Sequence, residues 1–258
     1  MVSRTSWQVQ KSVIYALFLR EMNVRFSAGK MGYFWIIFEP LLQITIFVSV
    51  KVMLFGANSQ FDFPVFITLG FIAFNLFRHT VDRSMTAFSA NKGLYAYKQV
   101  KPIDALVSRV LAEILVSTII VSIFIVVGFY FGFDMNAENL GLVILSFWWL
   151  IIFTFGIGLL VAVVGIFFDS FKKITKLILS PMMFISAIFY SMQDLPQSAR
   201  ELLWYNPLAH FIELIHANYF YTLDDGFVDY NYMVLWTMIP LFIALWLYRK
   251  LEKGIISK

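Results

Sequence analysis

The sequence predicts an all-α integral membrane protein with six transmembrane helices and both termini in the cytoplasm. Its 258 residues are 60% hydrophobic and only 14% charged, with a mean hydropathy of +0.77, whereas soluble domains have roughly 45–50% apolar and about 25% charged residues. Six apolar stretches are long enough to cross a hydrocarbon core of roughly 30 Å. Backbone groups that face lipid must be bonded within their own segment, so these stretches are predicted to be helices.

The six predicted spans differ in regularity. The fourth is long enough to require a tilt or a kink, and its Gly156, Gly158 and Gly165 allow a bend or close helix packing, of which packing is favoured. The fifth is short for a complete span and contains Pro181. The predicted spans are Tyr33–Phe55, Phe61–Val81, Ile103–Phe131, Leu140–Phe168, Ile174–Tyr190 and Tyr232–Tyr248.

The distribution of basic residues predicts the orientation. With both termini inside, all but two of the 20 lysine and arginine residues fall on inner segments, and the exceptions are Lys51 and Arg200. The inner segments of membrane proteins carry such an excess of basic residues. The outer connections are acidic instead, with Asp134, Glu138, Asp194, Glu201, Asp224, Asp225 and Asp229.

Residues 1–32 are predicted to form an amphipathic helix that lies on the inner membrane surface, anchored by Trp7 and Phe18. A signal peptide is the alternative, but the apolar run Val13–Leu19 is short and charged residues follow it at once. The remaining residues, 33–258, are predicted to form one transmembrane domain.

The motifs of common catalytic and nucleotide-binding sites are absent from the sequence. It has no GxxxxGK[ST] phosphate-binding loop, no GxSxG or HExxH motif, and no cysteine. The pattern His210-x-x-Glu213-x-x-His216 spreads its side chains over about 120° of a helix, which favours a structural role over a metal site. The net charge of +4 comes from scattered residues, unlike the basic face of a nucleic-acid-binding protein. We therefore predict a transport subunit, not an enzyme, that binds no metal, cofactor or nucleic acid itself.

Charged residues inside the predicted spans need an explanation, because each costs about 2.5–3.5 kcal/mol at mid-bilayer on insertion scales. Arg78 with Asp82, and Arg109 with Glu113, are four residues apart and can pair along one helix. Such charges either neutralise one another between packed helices or give a basic lining to a path for an anionic substrate. Lys51 has no local carboxylate partner, and it either snorkels outward or faces the path.

Aromatic residues make up 19% of the chain. Most are expected to face lipid or to fill helix interfaces, while some can offer flat apolar faces with polar rims that suit sugar rings. The candidate substrate path comprises Lys51, Arg78, Arg83, Trp148 and Trp149, and the candidate outer gate comprises Tyr190, Trp204 and Tyr205.

Two stretches break the pattern of spans. The inner loop 88–102 is basic and mildly amphipathic, which predicts a short docking helix for a cytoplasmic partner, with a plain linker as the alternative. Residues 191–220 contain two pieces that are too short to span and too apolar for a free outer loop. They are predicted to be re-entrant half-helices that form an outer gate. The predicted docking residues are Asn91, Lys92, Gly93, Leu94, Tyr95, Tyr97 and Lys98.

Three groups of residues resemble ABC-2 type exporter permeases, and together they cover essentially the whole chain in order. The first is Leu19-Arg20-Glu21, Arg25-Phe26, Gly29 to Trp35 and Glu39-Pro40. The second resembles the capsular-polysaccharide export branch in particular and is Tyr97-Lys98-Gln99-Val100-Lys101-Pro102-Ile103-Asp104, followed by Arg109 and Glu113. The third, shared like the first with O-antigen and teichoic-acid exporters, is Tyr205-Asn206-Pro207-Leu208 with Phe211-Ile212-Glu213.

The resemblance implies a homodimeric permease in the bacterial inner membrane that works with two separate ABC ATPase subunits, which bind ATP and Mg²⁺. The segment Asn91–Lys98 would be the coupling helix that sits in a cleft of the ATPase. The substrate would be a lipid-linked, usually acidic, capsular polysaccharide moved from cytoplasm to periplasm. In Gram-negative members a periplasmic partner then carries the polymer onward.

The leading hypothesis is therefore the permease subunit of a capsular-polysaccharide exporter. An ABC-2 exporter of another lipid-linked glycan, such as O-antigen or teichoic acid, or of a small lipid or drug is the alternative within the same class. A membrane-embedded transferase is the alternative from another class. It would need carboxylates or histidines that converge at one depth, and the charged residues of this sequence are dispersed.

Overall fold

The computed structural model describes residues 5–26, 32–55 and 62–257, and within these ranges it contains helices, turns and loops but no strand. Its α-helices are α1 (Ser6–Phe26), α2 (Gly32–Phe55), α3 (Phe63–Ser84), α4 (Pro102–Phe131), α5 (Leu140–Phe167), α6 (Asp169–Met182), α7 (Gln197–Trp204), α8 (Pro207–Tyr219) and α9 (Tyr230–Ser257). Two 3₁₀ helices complete the described structure, Ser89–Ala96 and Met192–Asp194.

Four of these helices, α3, α4, α5 and α9, are long and apolar enough to cross a membrane. Each has at least 22 residues, which corresponds to about 33 Å at a rise of 1.5 Å per residue. Helix α2 has 24 residues and covers the first predicted span. The prediction of an all-helical membrane protein is confirmed, and the number of six spans stays a prediction.

The predicted fifth span is the element that differs most from the structure. Helix α6 ends at Met182, so it is 14 residues long, about 21 Å, and residues 183–190 continue as turns and bends. Ala187 in this segment has a φ of 56°. The amide of Asn206 donates to the Ile185 carbonyl at 2.6 Å, so a residue far along the chain satisfies a carbonyl that a continued helix would have used. The prediction of one helix from Ile174 to Tyr190 is therefore wrong.

Helix α5 lies at the centre of the bundle and packs against α3, α8 and α9. A Cβ atom at Gly156 would lie 3.2 Å from the Leu241 backbone nitrogen of α9, and one at Gly158 would lie 2.7 Å from Ser84 Oγ of α3. The two glycines thus allow close approach of neighbouring helices, as predicted, and α5 runs unbroken through both.

The segments predicted to face the cytoplasm lie together at one end of the bundle. The ring of Phe88 packs on Tyr248 near the end of α9, with centroids 6.3 Å apart, and α1 reaches the same end through the 89–96 helix. At the opposite end, the Asp134 backbone nitrogen donates to Asp62 Oδ2 at 2.7 Å. The two ends of the molecule therefore separate the basic connections from the acidic ones.

Helices α7 and α8 confirm the two short helices predicted within residues 191–220. Asn206 separates them and caps α8, because its Oδ1 accepts a hydrogen bond from the Leu208 nitrogen at 3.1 Å. Almost every residue of α8 is buried. This burial suits apolar helices that do not span, while their depth in the bilayer stays a prediction.

Candidate functional site

Five charged side chains from α1, α3 and α4 meet at the end of the bundle that carries the basic connections. This buried charge cluster consists of Glu21, Arg25, Arg83, Arg109 and Glu113. Glu113 Oε1 lies 2.8 Å from both Arg25 Nη2 and Arg83 Nε. Three segments that are remote in sequence therefore converge on one carboxylate.

Glu21 of α1 is the second carboxylate of the cluster. Its Oε1 lies 3.3 Å from Arg25 Nε and 3.8 Å from Arg83 Nη1, and its Oε2 lies 3.3 Å from Arg109 Nε. Arg109 also donates to the backbone carbonyl of Arg83 and, at 2.9 Å, to Thr86 Oγ1. Ion pairs thus hold α1 against the ends of α3 and α4 that carry the cluster, and Arg109 also joins α4 to the main chain of α3.

The members of the cluster differ in exposure. The side chains of Arg25 and Glu113 are 2% and 4% exposed, whereas that of Arg83 is 40% exposed. Three guanidinium groups face two carboxylates, so the cluster carries one positive charge in excess. Buried partners must stay paired, and Arg83, although paired with Glu113 and Glu21, is the most exposed of the three arginines.

A cavity of about 130 Å³ with mixed polar and apolar walls adjoins the cluster between α1, α2, α3 and α4. Arg78 lies at the same level and contacts the cavity-lining His79, with Arg78 Nη2 3.2 Å from His79 Nε2. The polar and charged residues that line the cavity are Arg25, Glu39, Asn75, His79, Arg83, Glu113 and Ser117.

The pairs predicted along single helices are replaced by pairs between helices. Asp82 lies 3.4 Å from Lys176 of α6, while Arg78 contacts its neighbour His79. Arg109 and Glu113 pair with residues of α1 and α3 instead of with each other. The predicted neutralisation between packed helices is therefore observed, but its partners come from tertiary packing.

The predicted docking segment is a 3₁₀ helix over Ser89–Ala96, held against the body of the protein by Asn91. Asn91 is buried; its Nδ2 donates to the Ala87 carbonyl at 2.8 Å, and its Oδ1 accepts from Arg20 Nη1 at 2.9 Å. Helix α1 thus contacts the docking segment directly, one residue before the charge cluster begins.

The remaining docking residues divide by exposure into a buried inner set and an exposed outer set. Tyr95 is buried, its hydroxyl has no hydrogen-bond partner within the described residues, and burial raises the pKa of this phenol above its usual value. Tyr97 is 66% exposed, and Leu94 is half-buried. Lys92, Gly93 and Lys98 are also exposed. The face available to a partner therefore consists of the outer set, Lys92, Gly93, Tyr97 and Lys98.

The candidate path residues do not form one site. Lys51 lies at the opposite end of the bundle from Arg78 and Arg83, with its Nζ 3.4 Å from the ring centroid of Phe63. Trp148 is exposed on α5. Trp149 points into the bundle, where its Nε1 donates to Thr237 Oγ1 of α9 at 3.0 Å. Their predicted role in substrate transfer stays a prediction.

The candidate gate residues lie around the non-helical segment after α6. The Tyr190 hydroxyl donates to the Phe184 carbonyl at 2.6 Å, which fixes it within that segment. Trp204 packs edge-on against His210. Tyr205 is exposed, and its carbonyl accepts from the Tyr232 hydroxyl at 2.8 Å. The gate function of all three stays a prediction.

The His210, Glu213 and His216 side chains of α8 go to three different partners. His210 Nε2 lies 2.9 Å from the Trp204 carbonyl, and His216 Nε2 lies 3.0 Å from that of Phe66. Glu213 accepts from the Ser191 hydroxyl and, at 3.0 Å, from the Met192 nitrogen. Each therefore ties α8 to a different neighbouring segment.

Sequence reasoning missed the central position of Glu21 and Arg25, and it missed the contact of Arg20 with Asn91. All three charged residues lie in α1, whose apolar residues show no clear helical face, so periodicity gave no indication of the packed side. The signal that could have found them is their charge. Three such residues within six positions, next to an apolar run, require partners elsewhere in the chain.

Comparison with known proteins identifies the class to which this arrangement belongs. The sequence pattern of the ABC-2 type transporter family matches residues 12–220, which include the charge cluster, the 89–96 helix and α8. The chain belongs to the ABC-2 type transporter family. The resemblance noted in the sequence is thereby confirmed, and so is the prediction of a transport protein rather than an enzyme.

Individual relatives match over most of their length. The chain is 33% identical over 257 residues to the polysialic acid transport protein KpsM of Escherichia coli. The matched stretch covers 99% of this chain and 100% of that protein. It is 26% identical over 251 residues, 96% of this chain and 94% of the relative, to the capsule polysaccharide export inner-membrane protein CtrC of Neisseria meningitidis. The O-antigen export system permease protein RfbA of Klebsiella pneumoniae matches at 24% over 194 residues, 75% of this chain and 74% of that protein. These relatives and the apolar helices agree with the predicted location in the bacterial inner membrane.

Proposed function

We propose that this chain is the permease subunit of an ATP-driven exporter that moves a lipid-linked, acidic capsular polysaccharide from the cytoplasm to the periplasm. The observation that carries the proposal is the match over the whole chain to a relative named for polysialic acid transport. The excess positive charge of the buried charge cluster, presented by Arg83, is consistent with an acidic substrate that enters from the inner side.

The proposed topology has six spans and both termini inside, with α6 and the segment after it acting as an incomplete fifth span. It is supported by the separation of charges between the two ends of the bundle. Helix α1, the 89–96 helix and the end of α9 lie together at the basic end, while the 132–139 connection lies at the acidic end. An even number of spans places both termini on one side, as this arrangement requires.

The proposed energy source is a pair of ABC ATPase subunits that bind ATP and Mg²⁺, docked on a permease dimer. The exposed outer set of the 89–96 region would contact the ATPase. Movement would pass through Asn91 and Arg20 into α1, and from Glu21 into α3 and α4. The cavity beside the cluster lies where such a movement would change the spacing of these helices. A periplasmic partner and membrane lipid complete the proposed assembly.

Export of O-antigen is the second candidate, because the O-antigen permease RfbA matches three quarters of this chain. The match to KpsM is higher in identity and covers the whole chain, so capsular polysaccharide is the substrate we propose first. Teichoic acid, a small lipid or a drug would use the same fold. The two leading substrates differ in the surface polymer that should disappear when the gene is deleted.

Deletion of the gene followed by complementation tests the proposal. We expect loss of surface capsule with accumulation of polymer inside the cell, unchanged O-antigen, and restoration by the wild-type chain. An ABC ATPase should copurify with the complementing protein. Loss of O-antigen with intact capsule would establish the second candidate instead. Glycosyl-transfer activity of the purified chain without ATP would establish the transferase alternative.

A further inference from the structure

A groove of about 610 Å³ opens between α4 and α5 in the half of the molecule away from the charge cluster. Helix α3 forms its floor. The volume lies within the range of about 300–1,000 Å³ that is usual for sites of small ligands. Apolar side chains dominate its walls, among them Ile72, Leu76, Val121, Ile125, Ile144 and Trp148.

The groove exists because α4 and α5 each pack along α3 but make few contacts with each other. Helix α4 ends at Phe131 and is capped by Gly132, which has a left-handed φ of 74°, and the chain turns back across the gap. Met135 then packs on the α4 backbone, since its Cε occupies the place of a Cβ at Gly128. The connection thereby bounds the outer end of the groove, while its side stays open between the two helices.

Three of the hydroxyl groups in the groove are occupied within their own helices. The hydroxyls of Thr118 and Ser122 donate to the carbonyls of Ile114 and Thr118, both at 2.8 Å, and Thr68 donates to the Pro64 carbonyl at 2.6 Å. These side chains present no further donor hydrogen to a ligand. The walls therefore suit a hydrocarbon chain better than a sugar or a peptide.

The outer mouth of the groove is acidic. Asp134 and Glu138 are exposed there, and the Asp134 nitrogen binds the carboxylate of Asp62. The stretches that bound this part of the groove, 62–76 and 114–151, contain no lysine or arginine. The two exposed carboxylates would attract an ammonium group and repel a headgroup with net negative charge. Lys51 lies at the same end of the bundle, with its Nζ held over the Phe63 ring.

We propose that this groove holds an acyl chain of an outer-leaflet phospholipid with a zwitterionic, amine-bearing headgroup, whose ammonium lies near Asp134 and Glu138. The proposal rests on the orientation proposed above and is independent of the exported polymer. The bound lipid would fill the gap between α4 and α5 and let the two helices shift against α3 without exposing a void.

Native mass spectrometry of the full-length chain, with any associated subunits, tests the proposal in nanodiscs of equal phosphatidylethanolamine and phosphatidylglycerol. The wild type should retain phosphatidylethanolamine preferentially. Val121→Trp fills the groove and should reduce that retention several-fold. Val126→Trp is the matched control, because Val126 is exposed on the same helix but does not line the groove. It should retain the lipid like the wild type.

A second pair of variants, on the opposite wall of the groove, keeps the test decisive if the first variant misfolds. Ile144→Trp, which fills the groove from α5, should lose the lipid, while Leu145→Trp on the neighbouring exposed position should keep it. The double variant Asp134→Asn with Glu138→Gln should lose the headgroup preference but keep a bound lipid. Three results would each overturn the proposal. They are equal loss of lipid in filled and control variants, equal retention of both lipids by the wild type, and recovery of the polymer's lipid anchor in the groove. None of these results depends on export, so capsule assays test the proposed function separately.

Discussion

Arg20 Nη1 lies 2.9 Å from Asn91 Oδ1, and the next residue of α1, Glu21, lies 3.3 Å from Arg109 of α4. A single turn of α1 therefore contacts both the proposed ATPase-docking segment and the buried charge cluster. Because α1 reaches both, it is positioned to transmit movement from the docking segment to α3 and α4. Surface anchoring alone would not require these contacts.

Replacement of Arg20 tests this link. Arg20→Ala removes hydrogen bonds to the docking segment, one of them to a carbonyl, at a cost of about 1 kcal/mol for a partly exposed contact. We expect a several-fold fall in surface capsule with a normal amount of protein in the membrane. Capsule immunoassay and membrane immunoblotting measure the two quantities. Lys11→Ala, an exposed substitution earlier in α1, should export normally, and equal export by both variants would argue against the link.

Replacement of Glu113 should destabilise the protein. Glu113→Ala leaves Arg25 buried without its closest carboxylate, and removal of one partner of a buried ion pair typically costs about 3–5 kcal/mol. Denaturant unfolding of the purified chain in detergent should show the loss. The double variant Glu113→Ala with Arg25→Met should recover part of it, because the buried charge that lost its closest partner is then removed as well. Strictly additive losses would show that the pair contributes little.

Gly70 tests the packing of the non-helical segment after α6. A Cβ at Gly70 would lie 3.1 Å from Ile188 Cα and 3.3 Å from its carbonyl oxygen, and this backbone is buried. We expect Gly70→Ala to cost about 1–3 kcal/mol, as overpacked sites do. Gly141→Ala in α5 meets only an ordinary contact at 3.6 Å and should gain up to about 1 kcal/mol from helix propensity. Thermal unfolding in detergent compares the two, and a stable Gly70→Ala variant would contradict the observed packing.

The two tyrosines of the docking region should behave differently. Tyr95→Phe removes a buried hydroxyl that has no hydrogen-bond partner in the described part of the chain. The free energy of unfolding should therefore stay the same or rise, since such groups cost about 1–3 kcal/mol. Capsule export should persist. Tyr97→Ala changes an exposed side chain, so unfolding should be unaffected while copurification of the ATPase and export fall. If Tyr95→Phe lost export and Tyr97→Ala kept it, the assignment of Tyr97 to the docking face and of Tyr95 to the buried side would be wrong.

Neutralisation of two candidate path residues, Lys51 and Arg83, should have different effects on export and on stability. Lys51→Gln removes a charge that lies over the Phe63 ring and should lower capsule export with little effect on unfolding if this charge guides an acidic polymer. Arg83→Gln removes two ion pairs of the cluster and should lower stability as well. Normal export by Lys51→Gln would show that Lys51 has no role in the path.

The sequence predicted the helices more accurately than the contacts between them. The bounds of α4 and α5 agree with the predicted third and fourth spans within one residue at each end, because long apolar runs flanked by Gly, Pro or charged residues mark their own limits. The choice of partner for Arg109 could not be predicted, since an acidic residue four positions away satisfies the same local rule as one on another helix.

What the sequence by itself determined is the solvent of the chain, and it also predicted the direction in which the chain crosses the membrane. Its apolar fraction requires a bilayer, and its basic residues fall on one set of connections, since both properties are sums over residues. Only the tertiary structure decided which charges pair and where α6 ends. Glu113 meets Arg25 because α1 folds back on α4, and beyond the end of α6 at Met182 the amide of Asn206 satisfies the carbonyl of Ile185. Both outcomes depend on residues distant in sequence, which no local pattern encodes.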